Sequence, residues 1–225
     1  MNFDPTALVQ KIAVWALPVL LAITLHEVAH GWVARARGDH TAEMLGRLSL
    51  NPLKHVDPMG TVVVPLLALV LGGFLFGWAK PVPVAMRNLR HPRRDMAVVA
   101  IAGPLANFAM ALGWGLLLKL ALSTDPQEGI WLGVALMCRA GIVINLVLMV
   151  LNLIPLPPLD GGRVLTGLLP EAQARQLDRI EPYGLLILIL LMVSGVLGRI
   201  MMWPLILSGD ALLSILHLQG VPIFS

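Results

Sequence analysis

The sequence predicts an all-α polytopic membrane protein that forms one compact unit. Of its 225 residues, 57% are hydrophobic and 13% are charged, whereas a typical soluble domain has about 25% charged residues. Several apolar stretches reach the roughly 18 residues that cross about 30 Å of hydrocarbon as a helix. Too few charged side chains remain to cover a water-facing surface, so a soluble globular protein is excluded. We predict about five to six transmembrane helices in a lipid bilayer.

The predicted spans follow the apolar stretches along the chain. The first covers residues 8–34, and Gly38 ends it because glycine readily adopts the left-handed conformation that closes a helix. The others are predicted at residues 96–122, 130–154, 183–197 and 200–218, with a short helix at 161–169. We treat residues 1–225 as a single domain, with a core at 7–169 and accessory C-terminal helices at 183–218.

Residues 41–85 do not follow this helical pattern. Residues 41–50 are more polar and partly alternating, which favours a short membrane-associated β element. Residues 59–78 are apolar but contain Pro65 and the pair Gly72 and Gly73, which is typical of a broken or re-entrant segment. Prolines at positions 81 and 83 then predict an extended path over residues 79–85.

A metal-binding pattern lies inside the first predicted span. His26 and His30 are four residues apart, so on an α-helix they share one face and can bind one metal ion. Glu27 follows the first histidine, and a carboxylate there is placed to take a proton from a water molecule beside the metal. Ionisable residues at membrane depth are costly. The alternative, a polar contact between helices, would leave Glu27 unexplained.

A catalytic zinc takes three protein ligands and keeps one open position, so a third ligand is required. The single cysteine, Cys138, excludes a four-cysteine site. Asp160 is a candidate ligand because it follows an apolar span through a proline-rich stretch, and irregular backbone at membrane depth lines buried or wet cavities. The alternative is that the prolines end one helix and Asp160 caps the next.

Three ordered motifs resemble the site-2 protease family of intramembrane zinc metalloproteases. They are HEVAH at residues 26–30, AGPLANF at 102–108 and NLIPLPPLDGGRVL at 152–165. The resemblance implies that His26, His30 and Asp160 bind one Zn²⁺ ion and that Glu27 is the general base.

The same resemblance implies that Gly103, Asn107 and Asn152 lie beside the site, in contact with substrate or the oxyanion. The layout is similar to the small bacterial branch of the family, because no segment is long enough for a PDZ or CBS domain.

A shared metal site also constrains the topology. His30 lies near the C-terminal end of its span, and Asp160 lies just beyond the end of another, so both spans must run in the same direction. Residues 59–85 must therefore make no net crossing.

Charge counting agrees, since short loops rich in Lys and Arg stay in the cytoplasm. Twelve basic residues then share the cytoplasmic side with the active site: Arg35, Arg37, Arg47, Lys54, Lys80, Arg87, Arg90, Arg93, Arg94, Arg163, Arg175 and Arg179. Three lie on the other side, Lys11, Lys119 and Arg199. We predict a multi-pass protein of the plasma membrane.

The predicted function is an intramembrane zinc endopeptidase that cleaves the transmembrane segment of a protein or peptide substrate. Such a helix must unwind locally, and pairing with an edge strand at residues 41–50 or 78–84 would satisfy its exposed backbone. One alternative is a non-hydrolytic membrane metal-binding or transport protein, and another is a catalytically silent family member. No long basic run is present, so nucleic acid is not an expected partner.

Two smaller predictions concern charged side chains. Arg139 and Asp210 lie at matching depths in their spans, so we predict an ion pair or a water-bridged link between them. His55 lies in a turn beside Asp57 and either approaches the metal cavity or remains in an interfacial loop.

Overall fold

A computed structural model describes residues 5–54, 80–124 and 129–224, and these residues form helices and connecting turns. The helices are α1 (Pro5–Ala36), α2 (Thr41–Met44), α3 (Pro92–Leu122), α4 (Gly129–Asn152), α5 (Asp160–Leu168), α6 (Glu171–Asp178), α7 (Glu181–Val193) and α8 (Val196–Leu216). Single 3₁₀ turns occur at Pro52–Lys54 and Met86–Asn88. The predicted re-entrant segment falls largely outside the described residues, as does His55.

Four of the helices are long and apolar enough to cross a bilayer. They are α1, from Val9 onward, α3, α4 and α8, with 28, 31, 24 and 21 residues. The span predicted at residues 183–197 is shorter than expected, since α7 has 13 residues and extends only about 20 Å. Gly195, at a φ of 73°, separates α7 from α8. A left-handed residue cannot continue an α-helix, which is why the apolar sequence divides there.

Helix α3 is the centre of the bundle and packs against α1, α4, α5 and α8. Its buried positions carry many small residues, which let neighbouring backbones approach closely in a membrane protein. At Gly115, for example, an added Cβ would overlap the side chain of Leu216. The apolar core between α3, α4 and α8 includes the fully buried Leu118, Ile142, Leu146 and Leu212. Separate contacts between α3 and α1 hold α3 beside the helix that carries the histidines.

Helix α1 ends as predicted at a glycine. The backbone N–H of Gly38 donates to the carbonyl of Arg35, and that of Asp39 donates to the carbonyl of Ala34. Gly38 has a φ of 108°, which only glycine adopts readily. The backbone N–H of Arg90, just before α3, donates to the carbonyl of Arg37 at 3.1 Å. The chain between α1 and α3 therefore leaves and returns at the same end of the bundle, as the prediction of no net crossing requires.

The strand predicted at residues 41–50 is wrong. Thr41–Met44 form a helical turn, and residues 47–50 are irregular. Local hydrogen bonds decide this, since the N–H of Leu45 donates to Thr41 and that of Arg47 donates to Ala42. Residues 80–85 form no helix, as predicted; Ala85 has extended dihedrals, and Pro81 and Pro83 favour an extended path for the residues that precede them. We call residues 80–85 the extended segment, and no β-partner lies beside it within the described parts of the chain.

The direct ion pair predicted between Arg139 and Asp210 is not formed. Asp210 is exposed on α8, and the buried Nε of Arg139 has no hydrogen-bond partner. Matching depth along two helices does not make the side chains meet, because each helix can present its charge to a different side.

Asp39 joins the end of α1 to residues 85–88, at the end of the extended segment and just before α3. Its Oδ1 accepts hydrogen bonds from the N–H and hydroxyl of Thr41 and from Nδ2 of Asn88, and its Oδ2 accepts one from the N–H of Ala85 at 2.7 Å. Burial alone would raise the pKa of Asp39, but these hydrogen bonds outweigh it and lower the pKa below its usual value.

Replacing Asp39 with asparagine should therefore loosen residues 80–88. In Asp39→Asn one acceptor oxygen becomes an NH₂ group that faces a backbone donor, at a cost of about 2–3 kcal/mol. We expect a lower thermal unfolding midpoint in detergent and faster hydrogen exchange at Ala85. The control is Glu43→Gln on exposed α2, and an unchanged midpoint in Asp39→Asn would contradict the role of Asp39.

The lowered pKa of Asp39 makes the stability of the folded protein depend on pH. The ionised form of Asp39 is favoured in the folded state, so its stabilisation is present above about pH 4, the pKa of an unperturbed aspartate. It should be lost as the pH falls through the lower pKa of the folded state. Asp39→Asn should remove this part of the acid destabilisation, as measured by unfolding midpoints across pH.

Candidate metal centre

Three buried side chains from two distant parts of the chain meet at one point. Nε2 of His26 and Nε2 of His30 are 3.1 Å apart, and Oδ2 of Asp160 lies 3.2 Å from each of them. His26 and His30 lie one turn apart on α1, and Asp160 is the first residue of α5. These are the three residues predicted as ligands, and the fold brings them together.

Both imidazoles are oriented by hydrogen bonds at their other ring nitrogen. Nδ1 of His30 is 2.8 Å from the backbone carbonyl of Val99, and Nδ1 of His26 is 2.5 Å from Oδ1 of Asn107. Since a carbonyl can only accept, each Nδ1 carries the proton in a neutral ring and each Nε2 presents a lone pair. Such a bond at the second nitrogen is the usual way in which proteins orient metal-binding histidines.

This donor set fits a zinc ion. Two imidazole lone pairs and a carboxylate oxygen face one another without a proton between them, and Oδ2 of Asp160 has no hydrogen-bond partner in the described structure. Ligands at about 2.0–2.1 Å from a tetrahedral zinc lie about 3.3 Å apart, close to the 3.1–3.2 Å found here. A cation at the centre would remove the repulsion between the three donors, so the residues present fit the metal.

The start of α5 places Asp160 at the two histidines. Glycines follow it at positions 161 and 162, and a Cβ at either would overlap the backbone of residues 153–157. The small residues let the first turn of α5 pack directly on the irregular stretch after α4. The alternative that Asp160 merely caps a helix is not supported, because its Oδ2 accepts no backbone hydrogen bond.

Gly103 lies against both imidazoles. A Cβ at this position would be 2.5 Å from Cε1 of His26 and from Nε2 of His30. No real Cβ tolerates such distances, so any side chain would push the rings out of place. The glycine predicted beside the site is therefore required by the close approach of α3 to α1.

Glu27 lies in a cavity of about 150 Å³ that opens beside the three donors. Its Oε2 accepts a hydrogen bond from the backbone N–H of Val82 at 2.7 Å. The extended segment thus forms one wall of the cavity. The lining residues are His26, Glu27, His30, Pro81, Val82, Val84, Met96, Val99, Ala100, Asn152, Pro158, Asp160 and Arg163.

The two predicted asparagines occupy different places. Asn152 lines the cavity, and its Nδ2 donates to the carbonyl of Leu148 on its own helix. Asn107 is completely buried behind His26 and does not line the cavity. Its position differs from the predicted contact with substrate and instead lets it orient a metal-binding histidine.

Sequence reasoning did not identify several contributors to this centre. The carbonyl of Val99 and the N–H of Val82 are backbone groups, which leave no signal in the side-chain pattern. Asn145, which contacts Asn107, did carry a signal, because it is an amide inside an apolar span.

Comparison with known proteins agrees with this geometry. The model of peptidase family M50 matches residues 120–195. YwhC of Bacillus subtilis is 38% identical over 202 residues, which cover 88% of this chain and 89% of the relative. Rip2 of Mycolicibacterium smegmatis is 36% identical over 80% of this chain and 66% of its own length, and Rip2 of Mycobacterium tuberculosis is 34% identical over 89% and 74%. Each relative bears the name of a candidate zinc metalloprotease. No solved structure matches the chain.

The fold and the site together define a class of protein. It is a helical membrane protein in which two histidines and one aspartate converge on a single point. The extent and identity of the match to YwhC then place this chain in peptidase family M50, the site-2 proteases. The resemblance seen in the three sequence motifs is thereby confirmed.

Gly103 gives a direct test of the metal centre. Gly103→Ala should displace the imidazoles and lower the zinc content of the purified protein by about tenfold or more. Gly113→Ala is the matched control on the same helix, since a Cβ there meets nothing within 4 Å. Metal analysis would measure both, and equal zinc content in the two variants would contradict the assigned contact.

Proposed function

We propose that this protein is an intramembrane zinc endopeptidase that hydrolyses peptide bonds within or near the transmembrane segments of membrane proteins. One observation carries the proposal: three metal-binding donors and a separate carboxylate, Glu27, face a single cavity inside a bundle of membrane-spanning helices. Membership of peptidase family M50 supports it.

His26, His30 and Asp160 would hold one zinc ion. A bound zinc ion supplies a Lewis acid that polarises the scissile carbonyl and makes water a nucleophile near neutral pH. Glu27 is not among the converging donors, so its carboxylate stays available to take a proton from the attacking water and pass it to the leaving amine. The N–H of Val82 holds that carboxylate at the edge of the cavity.

The extended segment at residues 80–85 is the part of the cavity wall best suited to contact substrate. A helical substrate hides its carbonyl groups in its own hydrogen bonds, so the cleaved stretch must unwind. An unwound stretch would run beside Pro81, Val82 and Val84, which line the cavity. Residues 45–50 are a poorer partner because none of them lines this cavity.

A second cavity supports a route for water from the side that carries most of the basic residues. It has a volume of about 150 Å³ and shares Met96 and Arg163 with the cavity of the metal centre. Arg93, Asp178 and Glu181 also line it. Charged walls of this kind stabilise water, which the hydrolysis consumes.

The predominance of basic residues beside the C-terminal end of α1 favours a cytoplasmic location for that end. On this basis we place the active site of this multi-pass protein toward the cytoplasm, and we propose the plasma membrane as its location.

Replacing the proposed general base separates this function from metal storage or transport. Glu27→Gln should keep zinc bound but lower the cleavage rate of a transmembrane peptide in proteoliposomes by about 10²–10⁴-fold. A metal carrier would keep its flux, because Glu27 is not one of the converging donors.

Glu43→Gln is a suitable control, because Glu43 is exposed on α2 and pairs with Arg35 and His40 away from the cavity. Its cleavage rate should stay near that of the wild type. Undiminished cleavage by Glu27→Gln would refute the proposed role.

The orientation can be tested by labelling single cysteines. The native Cys138 is 1% exposed, so the wild type gives little background with a membrane-impermeant maleimide. Arg87→Cys should react in inverted vesicles only, because Arg87 is exposed at the predicted cytoplasmic end. Ser123→Cys, exposed beyond the opposite end of α3, should react in right-side-out vesicles only. The reverse pattern would overturn the orientation.

A further inference from the structure

Two buried asparagines form a chain of hydrogen bonds that ends at the metal centre. Asn107 on α3 and Asn145 on α4 are both 0% exposed, although they lie in membrane-spanning helices. Nδ2 of Asn107 donates to Oδ1 of Asn145 at 2.9 Å, and Oδ1 of Asn107 is 2.5 Å from Nδ1 of His26. Buried amides in an apolar bundle are costly unless their groups are paired.

Backbone carbonyl groups determine which atom donates and which accepts in every hydrogen bond of this series. The atom of Asn145 that faces the carbonyl of Gly141, at 2.8 Å, must be the donor Nδ2. Oδ1 of Asn145 then faces Asn107, so the Asn107 atom beside it must be Nδ2. The carbonyl of Ala22, 3.3 Å from the same Nδ2, requires the same orientation.

The orientation of the Asn107 amide determines which nitrogen of His26 carries the proton, and therefore whether Nε2 can bind a metal. Because Oδ1 of Asn107 can only accept, Nδ1 of His26 must carry the proton, and Nε2 must present its lone pair to Asp160 and His30. A reversed Asn107 amide would place an NH₂ group against Nδ1 and favour the tautomer that cannot bind metal through Nε2. The amide orientation therefore selects the ligand form of the ring.

We infer that Asn145 is a positioning residue for the metal centre, acting through Asn107 on the tautomer and orientation of His26. Asn145 provides the shorter of the two bonds that hold the Asn107 amide, at 2.9 Å against 3.3 Å for Ala22. It does not line the cavity and so does not touch substrate. This inference rests on the proposed function, because it assigns Asn145 to the same zinc site.

The test is the apparent zinc dissociation constant, measured by competition with a chromophoric chelator in detergent. Asn145→Leu should raise it by about tenfold, as is usual when a partner of a metal-binding histidine is lost. Asn145→Asp should restore tight binding to within about threefold, since a neutral carboxyl group at this buried position can donate its O–H to the carbonyl of Gly141 and still accept from Asn107. Cys138→Ala is the control for packing, because Cys138 is also buried on α4 but lies outside the chain of hydrogen bonds.

A double-variant comparison separates positioning from a general loss of stability. If Asn145 acts through Asn107, adding Asn145→Leu to Asn107→Leu should change zinc affinity by less than about twofold. The absorption spectrum of the Co²⁺-substituted protein should change in Asn145→Leu and return toward that of the wild type in Asn145→Asp. Where the leucine variant does not fold, Asn145→Ser supplies the test, because its hydroxyl is too short to reach Asn107.

The outcomes distinguish this inference from the proposed function. Wild-type protein that binds no zinc would refute both. Tight zinc binding by the wild type together with unchanged affinity in Asn145→Leu, or additive effects in the double variant, would overturn only the role of Asn145.

Discussion

The rest of the structure depends on one interaction. Three electron-pair donors, from His26, His30 and Asp160, face one another inside an apolar bundle. The two Nε2 atoms and Oδ2 of Asp160 lie 3.1–3.2 Å apart, and the neutral tautomers set by the partners of Nδ1 place no proton between them. In a region of low dielectric such an arrangement is unfavourable unless a cation lies at its centre. Helix packing, backbone carbonyls and buried amides around it all act to hold the donors in this geometry.

Close packing by small residues is what allows the donors to converge. Gly103 brings α3 against the imidazoles, and the glycines after Asp160 bring α5 against the loop that follows α4. In membranes, helices associate largely through such packing, because lipid tails are as apolar as the helix surfaces. The same contacts leave a cavity beside the donors, with Glu27 on its wall.

The wall of that cavity connects the end of α1 to the proposed general base, Glu27. Asp39 holds the extended segment at Ala85, and the segment in turn holds the Glu27 carboxylate through Val82. A part of the chain that is neither helix nor strand thus positions the proposed base. Irregular backbone is tolerated where it is buried in protein or lines a cavity, and the N–H groups of Val82 and Ala85 are both paired here.

The sequence by itself determined the helical membrane class, the end of α1 at Gly38 and the three residues that converge. The first two follow from apolar length and the left-handed preference of glycine, and the histidine pair follows from its four-residue spacing. Asp160 is a candidate because of the proline-rich stretch before it, and the family resemblance implies it as the third ligand. The sequence also required the chain between α1 and α3 to return to the same end of the bundle, because a metal site cannot be shared across a membrane.

Tertiary structure alone decided the remaining features. Residues 41–44 became a helical turn because their hydrogen bonds are local, and Arg139 and Asp210 do not pair although their depths match. Asn107 lies behind His26, and Val99 and Asn145 complete the surroundings of the histidines. Such contacts depend on how the helices are rotated about their axes and on backbone groups. The amino-acid sequence does not directly reveal the helix rotation or the positions of the backbone groups.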